Sequence, residues 1–186
     1  QNCDLGIVVD PDVDRLALIS ENGEMFGEEY TLVAIADYYM QVQPGATVSN
    51  LSSSRALRDV TRKGGQDHYA SAVGEVNVVR KMKDVGAVIG GEGNGGIIVP
   101  DLHYGRDSLI GIALFLSHFV KKGMLMSELK ASYPPYQMAK NNVQMREGMM
   151  PDKLIKKMEE RYSDENIDTI DGLKIDFEQG WVHLRK

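Results

Sequence analysis

The sequence predicts an α/β fold, in which a mixed, mostly parallel sheet is sandwiched by helices and followed by a partial α+β C-terminal unit. Between residues 28 and 122, short β-type runs alternate with segments of helical spacing, which is typical of a parallel sheet with helices on both faces. Near residue 124 this alternation stops. The 186 residues are 42% hydrophobic and 26% charged, a balance that suits one large folded domain with appendages.

Each element of the main unit follows from a local pattern. Strands are predicted from β-type runs, and helices from apolar residues at helical spacing with acidic, serine or aspartate residues at their starts and glycines at their ends. An Asn22-Gly23 pair favours a hairpin turn within the second strand. In chain order, we predict strands in LGIVV and LALISENGEMF, a helix over 28–41, a strand in 44–51, a helix over 52–65 capped by Ser52, Ser53 and Ser54, a strand in 66–73, a helix over 74–86, a strand over 87–91, a strand in IIVP, and a helix over SLIGIALFLSHFVKK capped by Asp107.

The tail has a different pattern. A short helix in MLMSELKASYPP is stopped by Pro134 and Pro135, which cannot continue it. After it we predict a strand in YQMAKNNVQM, a helix over 151–162 that begins at a proline, and two paired strands in TIDGLKIDF and GWVHLRK. A domain boundary is therefore expected near 123–135.

Composition excludes several classes of partner. The net charge is −6 and no basic run occurs, so we expect no nucleic-acid partner and no anionic membrane partner. The single Cys3 excludes an internal disulfide framework and a cysteine-based zinc site, which fits a reducing compartment. The longest apolar stretch, LIGIALFLSHFV, is too short to span a bilayer. We therefore expect a cytoplasmic protein. Both ends cut through strand-like sequence, so we also expect a segment of a longer chain.

The stretch DPDVDR places Asp10, Asp12 and Asp14 at alternate positions, followed by Arg15. In an extended segment such side chains share one side at roughly 6.5–7 Å, where two carboxylates repel by about 2.4 kcal/mol at an effective dielectric of about 20. A polar turn is the simplest interpretation. An EF-hand is excluded because Arg15 stands where glycine is needed.

Two chemical interpretations of this stretch remain. In an aspartyl-phosphate-type phosphatase, Asp10 would be the nucleophile at the end of an apolar strand. In a hard-cation site, Mg²⁺ would bind all three carboxylates, with Arg15 holding a phosphate beside it. The cation site explains all four charged residues, and we prefer it.

The second unusual stretch is IGGEGNGGIIVPDLHYGRD, in which Gly91, Gly93 and Gly96 match G-x-G-x-x-G after a predicted strand. A dinucleotide site needs a helix to begin there, but IIVP follows. Glu92 and Asn94 are the polar side chains of this loop and can hydrogen-bond a hydroxylated ligand, although a wide turn is the alternative. The loop follows the carboxyl end of a parallel strand, where α/β sheets bind ligands.

Together the two loops resemble those of the α-D-phosphohexomutase superfamily, which includes the phosphoglucomutases, phosphomannomutases and phosphoglucosamine mutases. DPDVDR is similar to its metal loop and GEGNGG to its sugar-recognition loop, with VPDLHYGRD as the usual continuation. The resemblance covers essentially the whole chain. It implies the end of domain 2 with the metal loop (1–27), domain 3 (28–123), a linker (124–135) and the truncated start of domain 4 (136–186).

The resemblance implies a mutase that interconverts hexose 1-phosphate and hexose 6-phosphate through a phosphoserine and a bisphosphorylated intermediate. The phosphoserine motif and the complete phosphate-binding loop do not occur in these residues. A phosphorylated hexose and the missing domains of the same chain are the expected partners, and these 186 residues alone are expected to be inactive. The implied roles are Mg²⁺ binding by Asp10, Asp12 and Asp14, phosphoryl stabilisation by Arg15, and sugar binding by Gly91, Glu92 and Asn94.

The sequence departs from the family pattern in places. Gly96 stands where many members have histidine, and Ser52 where some have lysine, so no particular hexose is predicted. Glu75 follows Gly74 where some members place a histidine acid/base. Glu75 is either a carboxylate base or an acidic residue favoured by the helix dipole. A non-catalytic cation- or sugar-binding module is the alternative to an enzyme.

Overall fold

The computed structural model describes residues 3–146 and 148–186, and the chain divides into two compact units with the boundary between Gln137 and Met138. The elements of the first unit are β1 Leu5–Val9, β2 Leu16–Ser20, α1 Glu28–Val42, β3 Thr47–Asn50, α2 Ala56–Lys63, β4 His68–Ser71, α3 Glu75–Val85, β5 Ile89–Glu92, β6 Gly96–Ile98, α4 Ser108–Lys122 and α5 Met126–Ala131.

The main sheet of this unit is mixed and mostly parallel. Its strand order is β4-β3-β5-β6, in which β3 runs parallel to β4 and β5, and β6 runs antiparallel to β5. Neighbouring residues of β6 point to opposite faces: Ile97 packs in the core with α1, α2 and α4, whereas Ile98 packs with Val78 and Met82 of α3. Helices therefore cover both faces, and the predicted fold class is confirmed.

The first two strands form a separate antiparallel hairpin. Leu5 pairs with Ser20 and Val9 with Leu16. After a turn in which Gly23 has φ of 84°, the chain folds back so that the Phe26 N–H donates to the Leu18 carbonyl at 2.8 Å. The inward side chains of β2 and Phe26 join the core with α1 and α4. The hairpin thereby fixes where its connecting loop, residues 10–15, meets the main sheet.

Two local predictions were wrong. The residue that caps α2 is Arg55, without a side-chain cap; Ser53 donates instead to Asn50, and Ser54 accepts from the Ala56 N–H at 3.3 Å. The predicted strand over 136–145 has no regular structure and is largely exposed. A strand needs a hydrogen-bonded neighbour, and the alternating pattern of this stretch has no strand beside it in the described residues.

The second unit has a helix and a small antiparallel sheet. Its elements are α6 Pro151–Arg161, β7 Asn166–Asp168, β8 Leu173–Asp176 and β9 Trp181–Leu184. The sheet order is β7-β8-β9, and Leu173 and Ile175 on the central strand are buried. The proline-started helix and the paired strands are as predicted, whereas β7 was not anticipated as a strand of its own.

Across residues 3–146 and 148–186, no helix combines the length and the apolar character that crossing a bilayer requires.

The loop between β5 and β6 is held closely against the hairpin. Leu16 donates its N–H to the Gly95 carbonyl at 3.1 Å, and a Cβ at Gly95 would overlap the Leu16 carbonyl oxygen. Gly95 also has φ of +81°, which side-chain-bearing residues rarely adopt. At Gly93 a Cβ would overlap the Glu29 carboxylate. Close packing by the protein itself, rather than the approach of a ligand, therefore accounts for these glycines.

A buried polar cluster joins α4 to the segment after α5. His118 is fully buried, with Nε2 at 2.8 Å from the Tyr133 hydroxyl, which donates to Asp37 at 3.1 Å. Burial lowers the pKa of His118, Asp37 opposes that shift, and Lys122 and Lys121 add to it. The other ring nitrogen, Nδ1, is buried without a hydrogen-bond partner among the described residues. The cluster therefore favours a neutral His118.

The first prediction follows from the His118 cluster. Below pH about 6.5, His118 takes up a proton more readily in the unfolded chain than in the folded chain. The free energy of unfolding should therefore decrease as the pH is lowered, by up to about 1.4 kcal/mol per pH unit. Urea unfolding at pH 7.5, 6.5 and 5.5 measures this slope. His118→Gln should flatten the slope, whereas His103→Gln, which alters an exposed histidine, should retain it. An unchanged slope in His118→Gln would contradict this account of the cluster.

The second prediction concerns Gly95. Gly95→Ala combines backbone strain with a collision against Leu16, so we expect a loss of about 2–4 kcal/mol in the free energy of unfolding. Gly65→Ala is the matched control because Gly65 also has positive φ, +73°, but has open space around its Cβ position. It should cost only about 1–2 kcal/mol. Equal losses for the two variants in urea unfolding would show that the packing of the loop is not what requires Gly95.

Candidate functional site

The candidate site lies at the carboxyl ends of β3, β4 and β5. The residues that follow these strands lie near the start of α3 and near Arg106, which directly precedes the α4 cap. They also lie near the hairpin loop Asp10–Arg15, which we call the acidic loop. This is the edge at which α/β sheets bind ligands. The loop that the sequence analysis singled out after β5 lies at this edge of the sheet.

Hydrogen bonds fix the backbone of the acidic loop. Asp10 Oδ1 accepts from the N–H groups of Asp14 at 3.1 Å and Arg15 at 3.2 Å. Val13 has φ of 57°, and its carbonyl accepts from both the N–H and the hydroxyl of Ser108, at 3.1 and 2.8 Å. The loop is thus closed on itself by Asp10 and attached to the start of α4 by Ser108.

The carboxylates of Asp10 and Asp14 lie side by side. Arg15 Nε is 3.7 Å from Asp10 Oδ2 and 3.7 Å from Asp14 Oδ1, and the Arg15 side chain is 54% exposed. Burial alone would raise the pKa of Asp10, but the N–H groups of Arg15 and Asp14 outweigh it, and the net pKa lies below its ordinary value. Burial, followed by the hydrogen bond with Asp10, raises the pKa of Asp14, against the opposing charge of Arg106.

These two carboxylates fit a hard cation. Asp14 Oδ1 is buried and has no hydrogen-bond donor among the described residues, so a ligand oxygen is available beside Asp10. Asp12 is exposed in the same loop. Within the described chain, no group of three or more histidine, cysteine, aspartate or glutamate side chains is arranged to hold a metal ion. The structure therefore brings Asp10, Asp14 and Arg15 together, but it does not bring Asp12 into the group.

Arg106 links the acidic loop to the rest of the site. Its Nη2 forms an ion pair with Asp14 Oδ2, its Nε lies 3.0 Å from Glu75 Oε2, and its Nη1 lies 3.7 Å from Glu92 Oε2. The side chain is only 14% exposed. Arg106 was not identified as a site residue from the sequence. The available signal was its place directly before Asp107, whose carboxylate caps α4 by accepting from Leu109 at 2.7 Å.

Glu92 is a buried anchor at the end of β5. It is 8% exposed, and its Oε1 accepts from Asn50 Nδ2 at 2.8 Å and from the Gly74 N–H at 3.0 Å. Those bonds join the ends of β3 and β5 to the residue that precedes α3. The Oε2 atom faces Arg106. Glu92 is therefore held rigidly, with one oxygen committed to the protein.

The other predicted site residues surround this anchor. Glu75 is the first residue of α3, is 35% exposed, and also accepts from the Arg106 N–H at 3.3 Å. Asn94 Oδ1 accepts from the Gly96 N–H at 3.1 Å, which leaves its amide nitrogen as a donor. Gly91 lies within β5 opposite Ile97, where a Cβ would overlap the Gly96 carbonyl oxygen.

Comparison with known proteins identifies a family that has this fold. A family model described as "Phosphoglucomutase/phosphomannomutase, alpha/beta/alpha domain III" matches residues 27–136. A "Phosphoglucomutase/phosphomannomutase" of Thermococcus kodakarensis is 33% identical over 185 residues, 98% of this chain and 40% of that protein. A "Probable phosphoglucosamine mutase" of Methanopyrus kandleri is 31% identical over 188 residues, 99% of this chain and 41% of that protein.

Solved structures show the same fold. A crystal structure of a phosphoglucomutase/phosphomannomutase family protein from Burkholderia thailandensis superposes with a TM-score of 0.79 at 24% identity, over 100% of this chain and 40% of that one. An N-acetylphosphoglucosamine mutase of Aspergillus fumigatus, solved in complex with GlcNAc-6P and magnesium, has a TM-score of 0.54 at 12% identity, over 90% of this chain and 43% of that one.

The chain spans about 40% of the length of the relatives that it matches. The family model covers more than half of the chain, and the described fold agrees with its α/β/α domain. The chain therefore belongs to the phosphoglucomutase/phosphomannomutase family of the α-D-phosphohexomutases.

Proposed function

We propose that the protein containing this chain is a Mg²⁺-dependent mutase that interconverts hexose 1-phosphate and hexose 6-phosphate through a phosphoserine and a bisphosphorylated sugar. The observation that carries the proposal is the side-by-side placement of the Asp10 and Asp14 carboxylates, with a buried Asp14 oxygen that lacks a donor, at the ligand-binding edge of the sheet. The names of the relatives, phosphoglucomutases and phosphoglucosamine mutases, support a phosphorylated hexose as the substrate.

In this proposal Asp10, Asp12 and Asp14 hold the cation. Carboxylate oxygens are the ligands that Mg²⁺ prefers, and Asp12 is an exposed third carboxylate of the same loop. Bound Mg²⁺ would supply Lewis-acid neutralisation of phosphoryl charge. The magnesium bound in the Aspergillus fumigatus relative supports this choice of metal.

The remaining roles belong to side chains around the same edge. Arg15 is half exposed beside the carboxylates, so its guanidinium can hold the oxygens of a transferring phosphoryl group. Asn94 can donate from its amide nitrogen to a sugar hydroxyl, and Glu92 presents Oε2 as an acceptor. Glu75 is a carboxylate within reach of solvent and is the candidate base for a sugar hydroxyl.

The domain assignment remains part of the proposal. Residues 1–27 would close domain 2 and carry the metal loop, residues 124–135 would be the linker, and residues 136–186 would begin domain 4. The phosphoserine and the complete phosphate-binding loop would come from other segments of the longer protein.

The phosphatase alternative is not favoured by the geometry of Asp10. A nucleophilic carboxylate needs an accessible oxygen, but Asp10 Oδ1 accepts two backbone N–H groups and Oδ2 lies near Arg15. Those contacts suit a ligand-holding carboxylate whose orientation is fixed. A phosphatase would release free hexose and inorganic phosphate, which the assay below distinguishes from isomerisation.

The third prediction tests the proposed mutase. In the protein that contains this chain, Asp10→Asn and Asp14→Asn should each lower kcat for conversion of glucose 1-phosphate or glucosamine 1-phosphate to the 6-phosphate by on the order of 100-fold or more, because charge stabilisation is lost. Removal of Mg²⁺ with a chelator should abolish turnover, and added Mg²⁺ should restore it.

Asp67→Asn is the matched control for that assay, since Asp67 is an exposed aspartate before β4 and takes no part in the site. Its kcat should equal that of the unaltered protein. Full activity in Asp14→Asn, or release of inorganic phosphate by the unaltered protein as the main product, would contradict the proposed function.

A further inference from the structure

Arg106 is the point at which three carboxylates from three separate elements meet. Asp14 belongs to the acidic loop, Glu75 begins α3, and Glu92 ends β5. Each of them contributes an oxygen to a different nitrogen of the one guanidinium. A planar guanidinium offers donors in several fixed directions, which a lysine ammonium cannot reproduce.

Contacts outside the guanidinium also hold the backbone and the stem of Arg106. The backbone N–H of the next residue, Asp107, donates to the Ile97 carbonyl at 2.9 Å, and Arg106 itself donates its N–H to Glu75. The side-chain methylenes lie so close to Gly96 that a Cβ there would overlap them. These contacts fix the backbone and the methylenes of Arg106, so only rotation about the last side-chain bonds can move its guanidinium.

Asp14 is the carboxylate that Arg106 shares with the proposed metal loop. Its Oδ2 pairs with Arg106, while its buried Oδ1 faces Asp10 and Arg15. A guanidinium and a divalent cation are both attracted to the same carboxylate and repel each other, so each weakens the binding of the other to Asp14. Glu75 and Glu92 give Arg106 alternative anions at 3.0 and 3.7 Å.

We propose that Arg106 is a positioning residue that acts as the resident counter-cation of the site, competing with a divalent cation for Asp14 and remaining anchored on Glu75 and Glu92 when Asp14 is taken. The inference rests on the proposed metal loop and deepens it by naming a regulator of its affinity. Without the cation, Arg106 would join the acidic loop to Glu75 and Glu92, and when the cation binds it would release Asp14 and stay on those two carboxylates.

The fourth prediction measures this competition with Mg²⁺ as the probe. Isothermal titration of the 186-residue chain with Mg²⁺ should give a Kd about 10-fold to 100-fold lower for Arg106→Gln than for the unaltered chain, because the charge of Arg106 no longer competes with Mg²⁺ for the Asp14 carboxylate. Arg15→Gln is the matched control. It removes the same charge near the same carboxylates, but the Arg15 contacts are longer and half exposed, so its Kd should change less than about 3-fold.

Each result decides the inference. Binding by the unaltered chain with an equal or higher Kd in Arg106→Gln overturns the inference alone and leaves the metal loop standing. Equal tightening in Arg106→Gln and Arg15→Gln also overturns it, since general charge would then explain the effect. Absence of binding in all three proteins overturns the inference and the metal assignment together.

A second measurement covers the case in which Arg106→Gln does not fold, as judged by circular dichroism. In the unaltered chain, the Arg106 Nε–Hε nuclear magnetic resonance signal, assigned with Arg106→Lys, should remain protected by its bond to Glu75 while its chemical shift changes during Mg²⁺ titration. A signal that Mg²⁺ leaves unchanged at concentrations that saturate the loop would overturn the inference.

Discussion

One guanidinium, that of Arg106, compensates the charge of carboxylates that the fold collects from three elements, and the whole candidate site depends on it. Asp14, Glu75 and Glu92 would otherwise repel one another in a partly buried position, where an uncompensated charge is strongly unfavourable. Because the three carboxylates come from a hairpin loop, a helix start and a strand end, their shared counter-ion also couples the positions of those elements. The ion pairs of Arg106 therefore both balance the charge of the site and hold the three elements in place.

The placement of that guanidinium follows from local sequence. Asp107 caps α4 and fixes the preceding residue, while Gly96 leaves room for the Arg106 stem, and Gly95 lets the β5–β6 loop lie against Leu16. The glycines of this loop therefore serve the contact between the β5–β6 loop and the hairpin. Through that contact the acidic loop and the β5–β6 loop are held side by side, and the proposed transfer between a metal-bound phosphate and a bound sugar needs that proximity.

Much of the fold could be predicted from local patterns, whereas the partners within the site could not. Helix periods, the Asp107 cap and the Gly23 turn each depend on nearby residues, and the structure has them as predicted. The strand predicted over 136–145 failed because pairing depends on a neighbour that an alternating pattern does not supply. Arg106 was missed for a related reason. Its partners Asp14, Glu75 and Glu92 are all distant from it in the sequence, so no local spacing reveals the contacts. Motifs identified the kinds of side chain at the site, but tertiary contacts decide which of them meet.

We propose that the acidic loop binds a divalent cation under the control of Arg106. Anomalous scattering from Mn²⁺ in crystals of the protein that contains this chain tests it most directly, since Mn²⁺ takes the same oxygen ligands as Mg²⁺. The account predicts a metal peak bonded to Asp10 and Asp14, with Arg106 withdrawn from Asp14 and still paired with Glu75. A peak remote from the acidic loop, or a bound metal with the Arg106–Asp14 pair intact, would contradict it.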